Sequence, residues 1–213
     1  MHIPDGFLAA NTWVPAWLIS IGGIGYSLKK VSELFKEKMV PLMGVMSAFI
    51  FAAQMLNFPV IGGTSGHLLG GVLAAVLLGP YGGAIAITIV LVVQSLIFQD
   101  GGLTALGANI INMSFLGAVV GYMIYAFIRK IVGGRRGIIV GAVIAAWMSV
   151  ILASIGCSIE LVLSDVLPMG TVLPAMVGVH ALIGVGEALI TYLVLSFVLD
   201  VRPDLIYKNG GEA

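Results

Sequence analysis

HLLGGVLAAVLLGPYGGAIAITIVLVVQSLIFQ, residues 67–99, runs for 33 residues without one Asp, Glu, Lys or Arg. A helix lying in water carries a polar face, and this stretch has none to offer. A membrane crossing takes about 20 apolar residues to span about 30 Å of hydrocarbon. The stretch is too long for one crossing, and the breaker Gly79-Pro80-Tyr81-Gly82-Gly83 falls inside it. It therefore reads as two crossings, 67–79 and 81–99. The first has only 13 residues, or about 20 Å at the helical rise.

The rest of the chain has the same character. Of 213 residues, 60% are apolar and 9% charged, whereas soluble domains run near 45–50% and about 25%. The mean hydropathy of +1.12 agrees. A soluble enzyme, a disordered chain and a basic nucleic-acid binder are excluded by that balance. Glycine, at 29 residues, suits close helix packing in lipid. The single cysteine, Cys157, leaves no internal disulfide framework and no thiolate metal cluster.

The formal charge is zero, but the ten cations are not scattered. They fall in three clusters: Lys29, Lys30, Lys36 and Lys38; Arg129, Lys130, Arg135 and Arg136; Arg202 and Lys208. Residues 1–28, 39–128 and 137–201 have no cation at all. Cytoplasmic loops collect Lys and Arg, so each long interval between clusters must leave and return to the same side. One crossing in 7–28, four at 40–57, 67–79, 81–99 and 105–128, and two at 137–160 and 174–199 meet that condition. The fold expected is an all-α integral membrane protein of seven transmembrane helices. Its N-terminus lies outside and its C-terminus is cytoplasmic, in one transmembrane domain over residues 1–213. Residues 1–28 lack a basic n-region and a cleavage site, and so read as retained structure rather than a signal peptide. Gly210–Ala213 reads as a frayed tail. The location implied is the cell (inner) membrane, with lipid around the bundle.

The short third crossing needs about ten more ångströms, and Asn57–Gly66 must supply them. That segment holds Pro59, Gly62, Gly63, Thr64, Ser65 and Gly66, which are poor helix formers. Irregular backbone at membrane depth is tolerated where it is buried in protein or lines a cavity, and a Gly-interrupted segment points to a binding site. Residues 57–67 thus read as a re-entrant loop carrying His67. The alternative is one ordinary helix over 61–79, with His67 as a packing residue.

The N-terminus adds chemistry. Met1-His2 offers three nitrogens in sequence: the α-amine of Met1, the amide of His2 and its imidazole Nδ1. Binding all three closes a five-membered and a six-membered ring. Once the amide loses its proton, such strong-field nitrogens favour a square-planar ion, Ni(II) or Cu(II). The fourth corner needs one more donor. An extended chain covers about 3.3–3.6 Å per residue, so residues 1–6 can fold back to the depth of His67, and Pro4 favours a bend.

Met1-His2-Ile3-Pro4-Asp5-Gly6-Phe7-Leu8, Gly63-Thr64-Ser65-Gly66-His67, Gly79-Pro80 and Gly101-Gly102-Leu103-Thr104-Ala105-Leu106-Gly107-Ala108-Asn109 resemble, in the same order, the segments of the CbiM/NikM family. Its members are substrate-binding (S) components of energy-coupling-factor transporters for nickel and cobalt. The resemblance spans nearly the whole chain. It implies seven helices, a threaded N-terminus, and a four-nitrogen site from the Met1 amine, the His2 amide and imidazole, and the His67 imidazole. It implies Ni(II), with Co(II) possible, as transported substrate and no organic cofactor. Implied partners are a transmembrane scaffold (T component), ABC ATPase subunits and a small accessory membrane subunit. Gly66-His67-Leu68, where cobalt-type members have Ser-His-Pro, leans toward nickel.

Other polar residues in the membrane are candidates by default. Ser65 and Asn109 are expected to support the metal ligands, as are Gln94, Gln99 and Asn112 unless these simply bridge helices. Glu187 and His180, seven apart on one helix face, read as a hydrogen-bonded packing pair, against a second metal site or a proton relay. Trp13, Trp17 and Tyr26 read as interfacial anchors, and Ala48 and Ala52 as a close-approach face for a scaffold. The chain has no Gly-x-x-x-x-Gly-Lys-Ser/Thr loop, so ATP hydrolysis would fall to partners. A membrane metalloenzyme is disfavoured for lack of an HExxH motif and of an open metal position. A proton-coupled carrier using Glu187 is the alternative class.

Overall fold

A computed structural model describes residues 1–34, 39–60 and 64–208. Lys36, Lys38, Gly62, Gly63 and Gly210–Ala213 lie outside the described residues. The described chain is a helical bundle with one small hairpin. In order it comprises α1 (Ala10–Leu34), α2 (Met39–Gln54), β1 (Phe58–Val60), β2 (Thr64–Gly66), α3 (Gly71–Val93), α4 (Leu106–Asn109), α5 (Gly121–Val132), α6 (Gly134–Leu163) and α7 (Met169–Val201). Two π-helical stretches make continuous rods of neighbouring pieces. Gln94–Phe98 extends α3, and Ile110–Val120 joins α4 to α5. Among the described residues, Gly71–Phe98, Leu106–Val132, Gly134–Leu163 and Met169–Val201 are long and apolar enough to cross a bilayer. The protein is a multi-pass membrane protein.

The rod Gly71–Phe98 is not straight. Gly79 has φ 78° and ψ 165°, a conformation open to glycine and closed to side chains, and Pro80 follows. Residues 75 and 83 would stand about 12 Å apart in an unbroken helix. Instead, a Cβ added to Gly83 would lie 2.8 Å from the Cα of Ala75. The two arms, 71–78 and 80–98, therefore fold back on each other, and Gly83 lets their backbones touch. This hairpin is the innermost part of the bundle: Val72 to Leu78 and Ala84 to Ile87 are buried without interruption.

All described cations lie at one end. Tyr207 rests on Gly79 and its amide donates to the Val76 carbonyl at 2.9 Å. Tyr26 stacks edge-on against Tyr81, with Lys30 over its ring. Arg135 pairs with Asp200 at 2.6 Å, and Arg129 lies over Tyr125. At the opposite end Met1–Ala9 enters the bundle instead of running outward.

Two expectations require correction. The fold is not purely helical, because β1 and β2 pair antiparallel, Phe58 with Gly66 and Val60 with Thr64. Pro59 bars its predecessor from helix, and Val60 and Thr64 are β-branched, so α2 ends at Gln54 rather than 57. The following helix begins at Gly71, not His67. Gly70, at φ 74°, turns the chain into it, and residues 67–70 belong to neither helix nor strand. The ordinary helix over 61–79 does not form.

Candidate metal centre

Four separate anchors hold the N-terminal segment inside the protein, and Met1, His2 and Ile3 are almost fully buried there. Asn109 grips the peptide units on both sides of Ile3. Its Oδ1 accepts from the Ile3 N–H at 2.9 Å, and its Nδ2 donates to the Ile3 carbonyl at 3.2 Å. The Gly102 N–H donates to the same carbonyl at 2.8 Å. Asp5 accepts from the Leu103 and Thr104 N–H groups at 3.0 and 2.7 Å and from the Thr104 hydroxyl, so its carboxyl is held below its usual value chiefly by Thr104. Gly101, at φ 91°, lies against His2; a Cβ there would stand 3.0 Å from the ring. The segment carries its own polar backbone into an apolar core, and these partners satisfy it.

Ser65, on β2, faces the chain end. The Met1 amine donates to the Ser65 carbonyl and reaches its Oγ at 3.2 Å, and the His2 N–H reaches the same Oγ at 3.3 Å. The hairpin therefore aligns the two nitrogens that the sequence marks as donors. Met1 also touches Cys157, whose Sγ lies 3.9 Å from the Met1 carbonyl.

The two imidazoles meet across the site, ring centroids 4.5 Å apart and tilted by 31°. His67 Nδ1 lies 2.7 Å from the Leu68 carbonyl. A carbonyl only accepts, so Nδ1 carries the proton and Nε2 keeps a lone pair; that Nε2 is buried and has no hydrogen-bond partner. His2 Nε2 lies 3.0 Å from Gln94 Oε1. The π-helical turn at Gln94 brings this amide inward, and such turns recur at functional sites. With the proton on Nε2, His2 Nδ1 is likewise a free lone pair without a hydrogen bond. A hydrogen-bonded second nitrogen is the usual way to fix a ligating histidine.

Burial keeps these donors deprotonated. The Met1 amine falls to about 5 by desolvation. His2 falls to about 3 through desolvation and then the amine's charge. His67 falls well below its ordinary value for the same reasons. Among the described residues, no three His, Cys, Asp or Glu side chains form a metal-holding group. A metal here would therefore need the amine and the amide as well as the two rings.

Met1, His2, His67, Ser65 and Asn109 are thus brought together, and so is Gln94. Glu187 and His180 are both buried on α7 but do not pair. Glu187 accepts from the Leu69 and Gly70 N–H groups at 2.9 and 2.7 Å. It fixes the turn after His67 and places an anion at the start of α3, where the helix dipole favours one. His180 Nδ1 lies 2.7 Å from the Met176 carbonyl. Asn112 donates to Glu160 at 2.5 Å, bridging the π-helical stretch 110–120 and α6. Trp17 Nε1 donates to the Thr104 carbonyl at 3.0 Å, so it ties α1 to the loop under the site. Ala48 and Ala52 are exposed on α2. Asp100 went unrecognised as a neighbour of the site. Its Oδ1 stands 3.3 Å from His2 Nδ1, and its position just before Gly101-Gly102 was the available clue.

Residues 2–205 match the family model CbiM, described as the cobalt uptake substrate-specific transmembrane region. A chain of Archaeoglobus fulgidus with the provisional name of fused nickel transport protein NikMN is 44% identical over 212 residues, covering 99% of this chain and 69% of that one. One of Methanococcus voltae, provisionally named cobalt transport protein CbiM, is 29% identical, covering 98% and 95%. The crystal structure of a truncated transition metal transporter superposes with a TM-score of 0.88 at 34% identity, covering 94% of this chain and 99% of that one. The chain belongs to the CbiM family, a family of metal transport proteins and not of enzymes.

Proposed function

We propose, from this family membership and the closed geometry above, that the protein captures Ni(II) from the outer side of the cell membrane as the substrate-binding component of an energy-coupling-factor importer. The observation that carries the reading is the set of four nitrogens: the Met1 amine, the His2 amide and Nδ1, and His67 Nε2. Two of them are buried lone pairs without a partner. The metal displaces the amide proton and sits in the plane of the four, while Ser65, Asn109 and Gln94 hold the donors in place.

Seven crossings, with the N-terminus outside and the C-terminus cytoplasmic, fit this role. The folded-back arms 71–78 and 80–98 count as two, and the gathering of cations at the end opposite the site supports the orientation. Residues 57–67 form the re-entrant element of a single domain, and residues 1–6 the metal-binding segment. Energy comes from partner ATPases acting through a transmembrane scaffold, with a small accessory membrane subunit alongside. The exposed Ala48 and Ala52 offer the scaffold a surface for close approach. Nickel is favoured by an all-nitrogen plane with an amidate and by the 44% identical nickel-named relative. Cobalt is the second reading, favoured by the name of the Methanococcus voltae relative. A proton-coupled carrier built on Glu187 is disfavoured, because its carboxylate is occupied by two loop amides.

The experiment is metal analysis and visible spectroscopy of purified protein with a free Met1. It should bind one Ni(II) as a yellow, diamagnetic complex. An added N-terminal peptide should abolish binding, and His67→Ala should give a weaker or paramagnetic complex. Unchanged affinity and spectrum in the extended protein would refute the site.

A further inference from the structure

The rim of the site holds a pair of electron-rich atoms that face each other. Asp100 Oδ1 and His2 Nδ1 are 3.3 Å apart, yet no hydrogen bond joins them, and Nδ1 has no other partner. With Gln94 Oε1 as the acceptor on the other side of the ring, the ring proton belongs to Nε2 and Nδ1 keeps its lone pair. A lone pair and a carboxylate oxygen at that separation repel unless a cation lies between them. Placing a metal at about 2.0–2.2 Å from both gives an N–metal–O angle of about 105°. That is close to a right angle, and because four nitrogens fill the plane of the proposed site, the carboxylate oxygen would stand beside that plane.

Exposure distinguishes Asp100 from the donors. The Asp100 side chain is 20% exposed and that of His2 only 3%; Met1 and His67 are fully buried. Asp100 is thus a charged group in contact with the donor set that also meets the outside. Its other oxygen receives the exposed Asn57 amide at 3.4 Å, from the foot of the β hairpin. The turn that presents it is tight, with Gln99 at φ 54° and Gly101 at φ 91°.

Charge points the same way. A dication held by one amidate and three neutral nitrogens leaves one uncompensated positive charge in a buried site. A buried charge is costly unless it is paired. The Asp100 carboxylate, next to a ligating atom, supplies the missing negative charge.

We propose that Asp100 is the capture ligand for the incoming divalent metal ion. It takes the hydrated dication at the rim, passes it to His2 Nδ1, and stays as the counter-ion of the filled site. This rests on the metal-binding reading above. In the capture step the carboxylate replaces one water of the aqua ion. Each nitrogen that follows displaces another water, and the His2 amide proton leaves to solvent. No electron is transferred.

Stopped-flow absorbance of protein with a free N-terminus, mixed with Ni(II) at several ionic strengths, tests the proposal. Removing a charge that guides a cation lowers association by about tenfold or more and flattens its salt dependence. Asp100→Asn should therefore slow association at least about tenfold, with affinity falling by more than that factor. Its dissociation should quicken, because the filled site loses its counter-ion, while the final spectrum holds. Asp100→Glu should keep the salt dependence. Asn57→Lys, at an exposed position that touches no donor, should slow association as Asp100→Asn does, and it serves if that variant fails to fold. Association at the wild-type rate in Asp100→Asn or Asn57→Lys would overturn the proposal. So would slowing in Asp100→Asn that keeps the wild-type salt dependence. Failure of the wild-type protein to develop the nickel spectrum would instead overturn the function itself.

Discussion

Asn109→Ala separates a docked N-terminus from a loose arm that closes only around metal. In the structure Asn109 accepts the Ile3 N–H and donates to the Ile3 carbonyl, at 2.9 and 3.2 Å. Both residues are buried, Asn109 at 1% and Ile3 at 0% exposure. The carbonyl keeps a second donor, the Gly102 N–H at 2.8 Å, so truncation orphans only the Ile3 N–H. An ordinary hydrogen bond contributes about 1 kcal/mol net, and a buried unsatisfied donor costs a further 1–3, giving about 2–4 kcal/mol in all. A water entering the space left by the side chain would bring the cost toward the lower figure. That energy is charged to the docked state, which alone presents the donors. Nickel affinity should therefore fall by about 30-fold to 1,000-fold, since about 1.4 kcal/mol is one factor of ten. Isothermal titration of wild type and variant, both with free N-termini, measures it. The spectrum at saturating nickel should be unchanged, because no ligand is removed. A dissociation constant within about threefold of wild type would refute the clamp; an altered spectrum would mean that Asn109 touches the metal.

Two further outcomes follow from the same geometry. Glu187→Gln leaves one oxygen to serve two N–H groups, so it should cost about 2 kcal/mol and lower the midpoint of thermal unfolding by about 4–8 °C; unaltered stability with abolished uptake would instead revive a proton-carrying role. The pH dependence has a definite sign. Desolvation lowers the docked Met1 amine to about 5 and His2 to about 3, so both are already deprotonated at neutrality and only the His2 amide proton must leave. Between pH 6 and 7.5, nickel affinity should fall about tenfold per unit as pH drops, with one proton released per metal, and more steeply below about pH 5, where the amine takes up its proton. An undocked terminus, with an amine near 7.7–8.0 and a histidine near 6.5, would release two or more. Titration in buffers of different ionisation enthalpy counts them, and a count above one at pH 7 refutes burial of the free amine.

Legibility in the sequence divided along lines of range. Features written in consecutive residues could be read directly. The chelating order of Met1 and His2 is such a feature, as are the helix-breaking Gly79-Pro80 and the cation-free intervals. The hairpin turn at Gly79 needs only the local backbone freedom of glycine and the missing N–H of proline. Asn57–Gly66 was legible as irregular, but not as a strand pair, because each strand has only three residues and periodicity has nothing to act on over that length. The partners of buried polar groups were the least legible. Glu187 and His180 share a helix face, and that spacing invites a pair. Yet the amides that claim Glu187 lie 118 and 117 residues away, at Leu69 and Gly70. They need an acceptor only because residues 67–70 form no helix or strand and lie against the bundle, with His67 and Leu69 buried. A backbone N–H has no signature in sequence, since every residue but proline carries one. The demand for a carboxylate at position 187 therefore arises from the fold of the loop that holds His67, and the glutamate that reads from the sequence as half of a packing pair with His180 is the one that fixes that loop.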